Sequence, residues 1–281
     1  SQPLKSPVIQ LGFWPGGDRD GNPFVTAEIT WKVASLLRTS ILKNYYNHLK
    51  IVQRRLTFKH VTEPLKTLSN LIYENMFNEN GTITIDEIKT RLQTIRTILI
   101  EQHNGVFLDI LDDFITRVDI FGLHFASLDI RQDSRVHQKV INQIVEKYTG
   151  INLKDLNEPE QIELLTNPSF TAKPEDFEDD IVIDTIKNVY QLKTIQQRNG
   201  ELGVNRYIIS NSETIFDVLN VYALFKFCGY KDDEIKFDIM PLFETIRGLD
   251  GAENTMNKLY NLPIYAQHLE RRKQRQSIML G

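Results

Sequence analysis

The feature that most constrains the fold is an alternation of short apolar segments with helical segments in the second half of the chain. Four segments rich in β-branched or aromatic residues are short enough to be strands, and they lie at about 122–130, 206–210, 237–243 and 276–280. Helical periodicity separates them, at about 133–148, 183–198, 213–227 and 252–271. Such alternation favours parallel strands with right-handed crossovers. Four units of this kind correspond to the first half of a (β/α)8 barrel.

The first half of the chain has a different pattern. From about Thr26 to Leu111, apolar residues recur at the three- and four-residue spacing that is typical of amphipathic helices. We therefore predict an α/β protein that is predominantly helical. Residues 1–115 would form a Gly-rich loop and a region of antiparallel helices, and 116–281 an incomplete, TIM-like barrel with an acidic surface insertion at about 150–180.

The composition excludes several classes of protein. The 281 residues are 41% hydrophobic and 25% charged, with a net charge of −4, which argues against disorder and against nucleic acid as a partner. No apolar run approaches the ~20 residues that span a bilayer, so no membrane partner is expected. The single cysteine, Cys228, fits a reducing cytosol, so we predict a cytoplasmic protein. Because the chain starts at Ser1 and stops directly after an apolar run, we expect a piece of a longer protein.

Candidate reactive groups lie where the predicted strands end, since the reactive face of a parallel barrel is formed by the carboxyl ends of its strands. By the assignment above, Asp129 and Arg131 follow the first strand and Glu244 follows the third. An arginine binds carboxylate or phosphate through its planar fork, and a lone carboxylate with open positions suits Mg²⁺. The pattern indicates a site for an anion and a divalent cation. The alternative, that Asp129 and Arg131 only pair with their neighbours, stays open.

A glycine-rich block at 16–23 also has two interpretations. Its glycines would let the backbone approach a phosphate, with Arg19 supplying positive charge. Alternatively, it is a structured loop in which Asp18 and Asp20 cap a turn. Trp14, directly before the block, has the usual character of a core anchor.

A loop at 76–87 resembles a calcium-binding loop only superficially. Glu87 stands at the twelfth position, but the first position is Met76, where an aspartate is needed. The alternative is a helix–turn–helix connection, with Asn80-Gly81 as the turn and Thr84 capping the next helix. Calcium binding is therefore not expected.

Several sequence blocks together resemble the phosphoenolpyruvate carboxylase family. Residues 14–23 read WPGGDRDGNP and are followed by Val25-Thr26; later blocks are Phe121-Gly122, LDIRQDS at 128–134, PLFET at 241–245 and QSIMLG at 276–281. Their order and approximate spacing agree with the family pattern from residue 9 to the end of the chain.

The resemblance implies an enzyme, a carbon–carbon lyase that converts phosphoenolpyruvate and bicarbonate to oxaloacetate and phosphate with Mg²⁺ or Mn²⁺. This is an anaplerotic reaction that feeds the tricarboxylic acid cycle, and the complete enzyme would be a homotetramer. Arg131 matches the arginine that binds the substrate phosphate, and Glu244 matches one carboxylate ligand of the metal. Residues matching the apolar pocket at the substrate methylene are Trp14, Leu242 and Met279. We also assign Arg19 and Asp129, from the two longest blocks, to the catalytic residues.

The chain also departs from the family pattern. The catalytic histidine of the family would precede residue 1, and the second metal carboxylate would follow Gly281, so we expect the isolated chain to be inactive. Asn211 replaces a usual methionine, and Phe216 a usual serine. Two other functions stay open: a different phosphoenolpyruvate-handling barrel enzyme, and a non-catalytic helical module with a weak calcium loop.

Overall fold

A computed structural model describes residues 9–78 and 81–281. The chain divides into two compact units. Among the described residues, the first unit holds those up to Phe13, together with Lys32–Ser127 and Ile195–Gly203. The second unit holds Trp14–Trp31, Leu128–Thr194 and Val204–Gly281. The domain boundary predicted between residues 115 and 116 stays a prediction.

The first unit is built around helices. Its elements are β1 (Gly12–Phe13), most of α1 (Ala27–Arg55), α2 (Thr62–Met76), α3 (Ile85–His103) and α4 (Leu108–Phe121). The periodic apolar residues of these helices form one core, in which Leu49, Leu92 and Phe114 are fully buried. Burial of this apolar stripe stabilises the helices more than their intrinsic propensity does.

The connection between α2 and α3 contains most of the segment 76–87, which resembles a calcium-binding loop in sequence. Asn80 lies outside the described residues, but the start of α3 is clear. The Thr84 side chain accepts a hydrogen bond from the amide of Glu87, at 3.1 Å, which confirms the predicted cap. The Glu87 carboxylate is engaged by Arg91 at 2.8 Å, an ordinary i,i+4 pair.

The second unit carries the alternating strands and helices. Its elements are nearly all of β2 (Ser127–Asp133), α5 (Ser134–Thr149), α6 (Glu158–Thr166), most of α7 (Asp180–Asn199), β3 (Arg206–Ser210), α8 (Ile215–Phe227), β4 (Asp238–Phe243), α9 (Ile246–Tyr260), α10 (Pro263–Arg271) and β5 (Met279–Leu280). Strands β2 to β5 are hydrogen-bonded in chain order, and all are parallel. The predicted α/β class with a predominance of helix is confirmed.

The register of the sheet fixes which side chains share a face. Asp129 pairs with Arg206, and Arg131 with Ile208. Ile208 pairs in turn with Met240, while Leu242, two residues further along β4, pairs with Met279. Because side chains alternate along a strand, all these residues project from one face of the sheet.

Two element boundaries differ from the prediction. The strand β2 begins at Ser127, not at 122, because Gly122 and Phe125 have φ of 50° and 63° and place the residues before Ser127 in turns. Because β2 continues to Asp133, Asp129 and Arg131 lie inside it, and the prediction that both follow the strand is wrong. The helix predicted at 252–271 is two helices, since Pro263 cannot continue α9 and starts α10.

The acidic stretch at 150–180 contains α6 and two short 3₁₀ turns, at Leu153–Asp155 and Pro174–Asp176. Its charged residues Glu175 and Glu178 are exposed, whereas Leu165 and Ala172 are buried. Throughout the part of the chain that the structure describes, no helix combines the length and the apolar character needed to cross a bilayer.

Candidate active site

The glycine-rich block lies along β2 and is hydrogen-bonded to it. The amide of Arg19 donates to the carbonyl of Arg131 at 2.8 Å, and the amide of Arg131 donates to the carbonyl of Gly17 at 2.9 Å. Gly17 has no alternative here, because a Cβ at this position would lie 2.0 Å from the carbonyl oxygen of Asp129. The block is therefore a backbone partner of the strand that carries Arg131.

The guanidinium of Arg131 has three side-chain neighbours, two aspartates of this block and the tryptophan directly before it. Its Nη2 atom lies 3.0 Å from Oδ2 of Asp20, and its Nε atom lies 3.8 Å from Oδ1 of Asp18. The Trp14 ring lies against it, with 5.4 Å between the guanidinium carbon and the ring centroid, in the range of a cation–π contact. The Arg131 side chain is 18% exposed, whereas Asp18 is 33% and Trp14 42% exposed, so these contacts lie at a partly solvated surface and Trp14 is not the core anchor expected from the sequence.

Arg19 has different surroundings, although it lies between the two aspartates in sequence. Its side chain is buried and forms an ion pair with Asp184 of α7. Asp184 also accepts a hydrogen bond from the amide of Ala27, at 2.9 Å, at the start of α1. Arg19 thus connects the glycine-rich block to two helix N-termini.

The charge of Arg19 acts on the face of the sheet opposite to Arg131. There His137 of α5 lies 3.1 Å from the hydroxyl of Tyr207, and both residues are fully buried. Burial lowers the pKa of His137 to about 3, with a further contribution from the positive charge of Arg19. Arg19 and Arg131 are joined through their backbones, but their side chains have different partners, Asp184 for Arg19 and Asp18 and Asp20 for Arg131. The catalytic role predicted for Arg19 stays a prediction.

Asp129 is buried and pairs across the sheet with Arg206, at 2.7 Å. Burial raises the pKa of its carboxyl group, while Arg206 and a hydrogen bond from Trp14 oppose that shift. This geometry is the pairing with a neighbour that the sequence left open as an alternative. Asp129 also ties the strand to the tryptophan that packs on Arg131.

Glu244 lies immediately after β4 and is exposed. Its Oε1 atom accepts a hydrogen bond from the amide of Asn211 at 2.9 Å. Gly281 stands two residues after Met279, so a Cβ at Gly281 would project from the same face of the sheet as the Met279 side chain. Such a Cβ would lie 3.4 Å from Leu242 and 3.7 Å from Oε2 of Glu244, so both of these side chains lie on the Met279 face. The structure therefore brings Arg131, Leu242, Glu244 and Met279 to the same face.

Asn211 links three successive strand ends. It has a φ of 52°, a left-handed conformation that asparagine adopts more readily than most residues. Its side-chain amide donates to Oδ2 of Asp133 at 2.8 Å, and Asp133 also pairs with Arg135. The pairing with Arg135, together with other hydrogen bonds, holds the pKa of the Asp133 carboxyl below its usual value. The sequence places Asn211 after the second strand and marks it as a departure from the family motif, but it does not predict these contacts.

The described residues do not form a complete metal site. Among 9–78 and 81–281 there is no group of three or more His, Cys, Asp or Glu side chains that could hold a metal ion. Glu244 offers one exposed carboxylate, and Mg²⁺ takes one or two protein carboxylates beside waters and substrate phosphate. Glu244 can supply one protein ligand of a magnesium site, and the described residues do not supply a complete set of ligands.

Comparison with known proteins identifies the class to which this fold and site belong. The chain matches the family described as Phosphoenolpyruvate carboxylase over residues 1–82 and 65–281. It belongs to the phosphoenolpyruvate carboxylase family.

Individual relatives agree with that assignment. The chain is 28% identical to "Phosphoenolpyruvate carboxylase" of Nitrosomonas eutropha, over 99% of this chain and 35% of that protein. It is 30% identical to the protein of the same name from Synechococcus sp., over 100% of this chain and 33% of that protein. A third relative, from Trichormus variabilis, is 28% identical over 94% of this chain and 31% of its own length. The chain thus spans about a third of the length of these relatives.

Proposed function

We propose that this chain is the central part of a phosphoenolpyruvate carboxylase, and that its sheet is the first half of a (β/α)8 barrel. The complete protein would be a cytoplasmic homotetramer that makes oxaloacetate from phosphoenolpyruvate and bicarbonate for the tricarboxylic acid cycle. The observation that carries the proposal is the common sheet face of Arg131 and Glu244, with Leu242 and Met279 on the same face. A phosphate and its magnesium ion need such a pair of opposite charges.

In the proposed reaction an oxygen of bicarbonate attacks the phosphorus, and the bond from phosphorus to the enol oxygen breaks. Carboxyphosphate and the pyruvate enolate result. Carboxyphosphate then splits into carbon dioxide and phosphate, and the methylene carbon of the enolate bonds to carbon dioxide. Arg131 would hold the transferring phosphoryl group, where a fixed guanidinium stabilises the charge of the transition state.

The apolar residues would protect the intermediate. Leu242 is buried, and Met279 lies beside it across the sheet. Together with Trp14 they would line the methylene side of the substrate, so that water does not protonate the enolate before carbon dioxide arrives.

The metal ion, when bound, would supply further positive charge on the phosphate and enolate oxygens, with Glu244 as one of its ligands. The hydrogen bond from the Asn211 amide leaves the remaining lone pairs of the Glu244 carboxylate open to a cation. Asp129, paired with Arg206, would act by fixing Trp14 and β2.

The function is tested by following isotope-labelled bicarbonate into oxaloacetate, trapped by malate dehydrogenase, with the complete protein. We expect incorporation that requires phosphoenolpyruvate and a divalent cation. Turnover of phosphoenolpyruvate without label in the product would favour a different phosphoenolpyruvate-handling enzyme. The 281-residue chain alone should show no turnover in the same assay, and robust bicarbonate-dependent turnover would contradict its proposed inactivity.

A further inference from the structure

Arg131 is held on one edge, which leaves a defined part of its guanidinium to a ligand. The two aspartates lie at Nη2 and Nε, the atoms that form one edge of the planar group. The indole of Trp14 is a third neighbour, with its ring centroid 5.4 Å from the guanidinium carbon. The Nη1 atom takes part in neither ion pair, so its donors are not committed to the aspartates.

The carboxylates that hold Arg131 are themselves held by the backbone. The carbonyl of Gly17 and the amide of Arg19 are hydrogen-bonded to the amide and the carbonyl of Arg131, respectively, so the backbone of the loop is fixed relative to that of the arginine. Within the loop, the amide of Asp20 donates to Oδ1 of Asp18 at 3.2 Å. Asp18 and Asp20 therefore meet the guanidinium from positions that the backbone fixes.

We infer that Asp20, supported by Asp18, is a positioning residue that presents the Nη1 end of Arg131 to the substrate phosphate. This inference rests on the proposed function and adds to it a role for the aspartates of the glycine-rich block. A flexible arginine would lose side-chain entropy when it bound the phosphate, and a guanidinium fixed in advance does not.

The opposite effect is also physically possible, and it has a different signature. Two carboxylates around one guanidinium make the local charge negative, so Asp20 would act as an internal competitor that weakens anion binding. Positioning depends on the reach of the carboxylate and on its hydrogen bond, whereas competition depends only on its charge. Variants that separate reach from charge distinguish the two effects.

The test uses the complete protein with three substitutions at one position, Asp20→Ala, Asp20→Asn and Asp20→Glu. If Asp20 positions Arg131, Asp20→Ala and Asp20→Glu raise the KM for phosphoenolpyruvate about tenfold or more, with a smaller change in kcat. Asp20→Asn, which keeps an acceptor oxygen at the same reach, stays within about threefold of the parent. If Asp20 competes, Asp20→Ala and Asp20→Asn lower the KM and Asp20→Glu leaves it unchanged, and that result overturns the inference.

The matched control is Glu234→Ala. Glu234 also pairs with a cation, Lys193, at 2.7 Å, but lies on a 3₁₀ turn outside the site. It should change neither KM nor kcat. Circular dichroism and thermal unfolding of each variant exclude loss of folding as the cause; Asp20→Glu and Asp20→Asn decide the matter if Asp20→Ala does not fold.

A binding measurement separates the inference from the proposed function. Calorimetric titration of the complete protein with inorganic phosphate in the presence of Mg²⁺ needs no turnover. Absence of bicarbonate-dependent turnover in the parent would overturn the function. Weaker phosphate binding in Asp20→Ala and Asp20→Glu, but not in Asp20→Asn, would still support the positioning role. Equal or tighter binding in Asp20→Ala, or no phosphate binding by the parent, would overturn it.

Discussion

The two regions on either side of the glycine-rich block differ in what they do with an arginine. On one face of the sheet, Arg131 contacts the two aspartates of the block, and its side chain is 18% exposed. On the other side, Arg19 is buried against Asp184 and acts on the pair formed by His137 and Tyr207. One glycine-rich block thus contributes to a partly exposed polar site and to a buried polar cluster.

This difference teaches that charge in a motif does not by itself define a reactive group. A buried arginine whose carboxylate partner also caps a helix is costly to remove because its partner is left unpaired. A partly exposed arginine that is held by carboxylates can give its remaining donors to a ligand. The comparison predicts opposite outcomes for the two arginines, on activity for one and on stability for the other.

The largest effect is expected for Arg131→Ala in the complete protein. Loss of the guanidinium from the transferring phosphoryl group should lower kcat/KM by about 10²-fold or more, which is about 2.7 kcal/mol of transition-state stabilisation. Steady-state kinetics measure this change, and thermal unfolding should remain close to that of the parent. Activity near the parent level would remove Arg131 from the site and with it the proposed mechanism.

The next effect is expected for Arg19→Ala and appears in a different measurement. This change leaves Asp184 without its cation and removes a buried ion pair, so the free energy of unfolding should fall by about 1–3 kcal/mol. The kcat/KM of the folded protein should change by less than about fivefold, since the Arg19 side chain pairs with Asp184, and its contact with Arg131 is a backbone hydrogen bond that the substitution keeps. Urea unfolding and steady-state kinetics on the same preparation provide both values. A loss of kcat/KM as large as that of Arg131→Ala, without loss of stability, would instead support the catalytic role predicted from the sequence.

The closed cluster should also make stability depend on pH. Burial and the positive charge of Arg19 together lower the pKa of His137 from its usual 6.5 to about 3, against the opposing effect of Asp133. Below pH 6.5 the unfolded chain therefore binds a proton that the folded chain does not, and stability falls as the pH falls. Between pH 5.5 and 4.5 this residue should contribute about 1.4 kcal/mol per pH unit.

The measurement is the free energy of unfolding in urea as a function of pH, for the parent and for His137→Gln. Glutamine can still bond to the Tyr207 hydroxyl but does not titrate, so the slope should decrease by the contribution of His137. The remaining slope should persist because burial also lowers the pKa values of His124 and His268 to about 4. Identical slopes in the two proteins would show that His137 is accessible to protons in the folded state.

Much of the fold could be predicted from the sequence because its elements are locally encoded. The apolar periodicity of α1 to α4 and the strand–helix alternation of the second unit specify class, element order and the parallel sheet. The start of β2 was predicted too early, because Gly122 indicates a turn only at its own position and Phe125, which also has a positive φ, is neither glycine nor asparagine. Pro263 indicates the break before α10, but helical periodicity continues on both sides of it, and for this reason the sequence predicts a single helix.

The candidate site could be predicted in composition but not in connectivity. The motif blocks propose Arg131, Glu244, Leu242 and Met279 as site residues, and the register places them on one face of the sheet, although Arg131 lies inside β2 and not after it. Which carboxylate meets which guanidinium depends on contacts between residues far apart in the chain. Asp20 contacts Arg131 and Arg19 contacts Asp184, and no spacing in the sequence distinguishes these pairings.

The smallest expected effect tests the open side of the comparison at Asn211. Asn211→Gly keeps the left-handed backbone and its amide contact with Glu244, and removes only the side-chain bond to Asp133. The Glu244 carboxylate would then accept its hydrogen bond from a less constrained residue 211. The Mg²⁺ concentration for half-maximal activity of the complete protein should therefore rise about threefold, which corresponds to ~0.6 kcal/mol of binding free energy. Asn211→Met, the residue usual in the family, also removes the bond to Asp133 and places at a positive φ a side chain that adopts this conformation less readily than asparagine does, so it should shift the value further in the same direction. A titration in which both variants match the parent would mean that the link between Asp133 and Glu244 does not affect the proposed metal ligand.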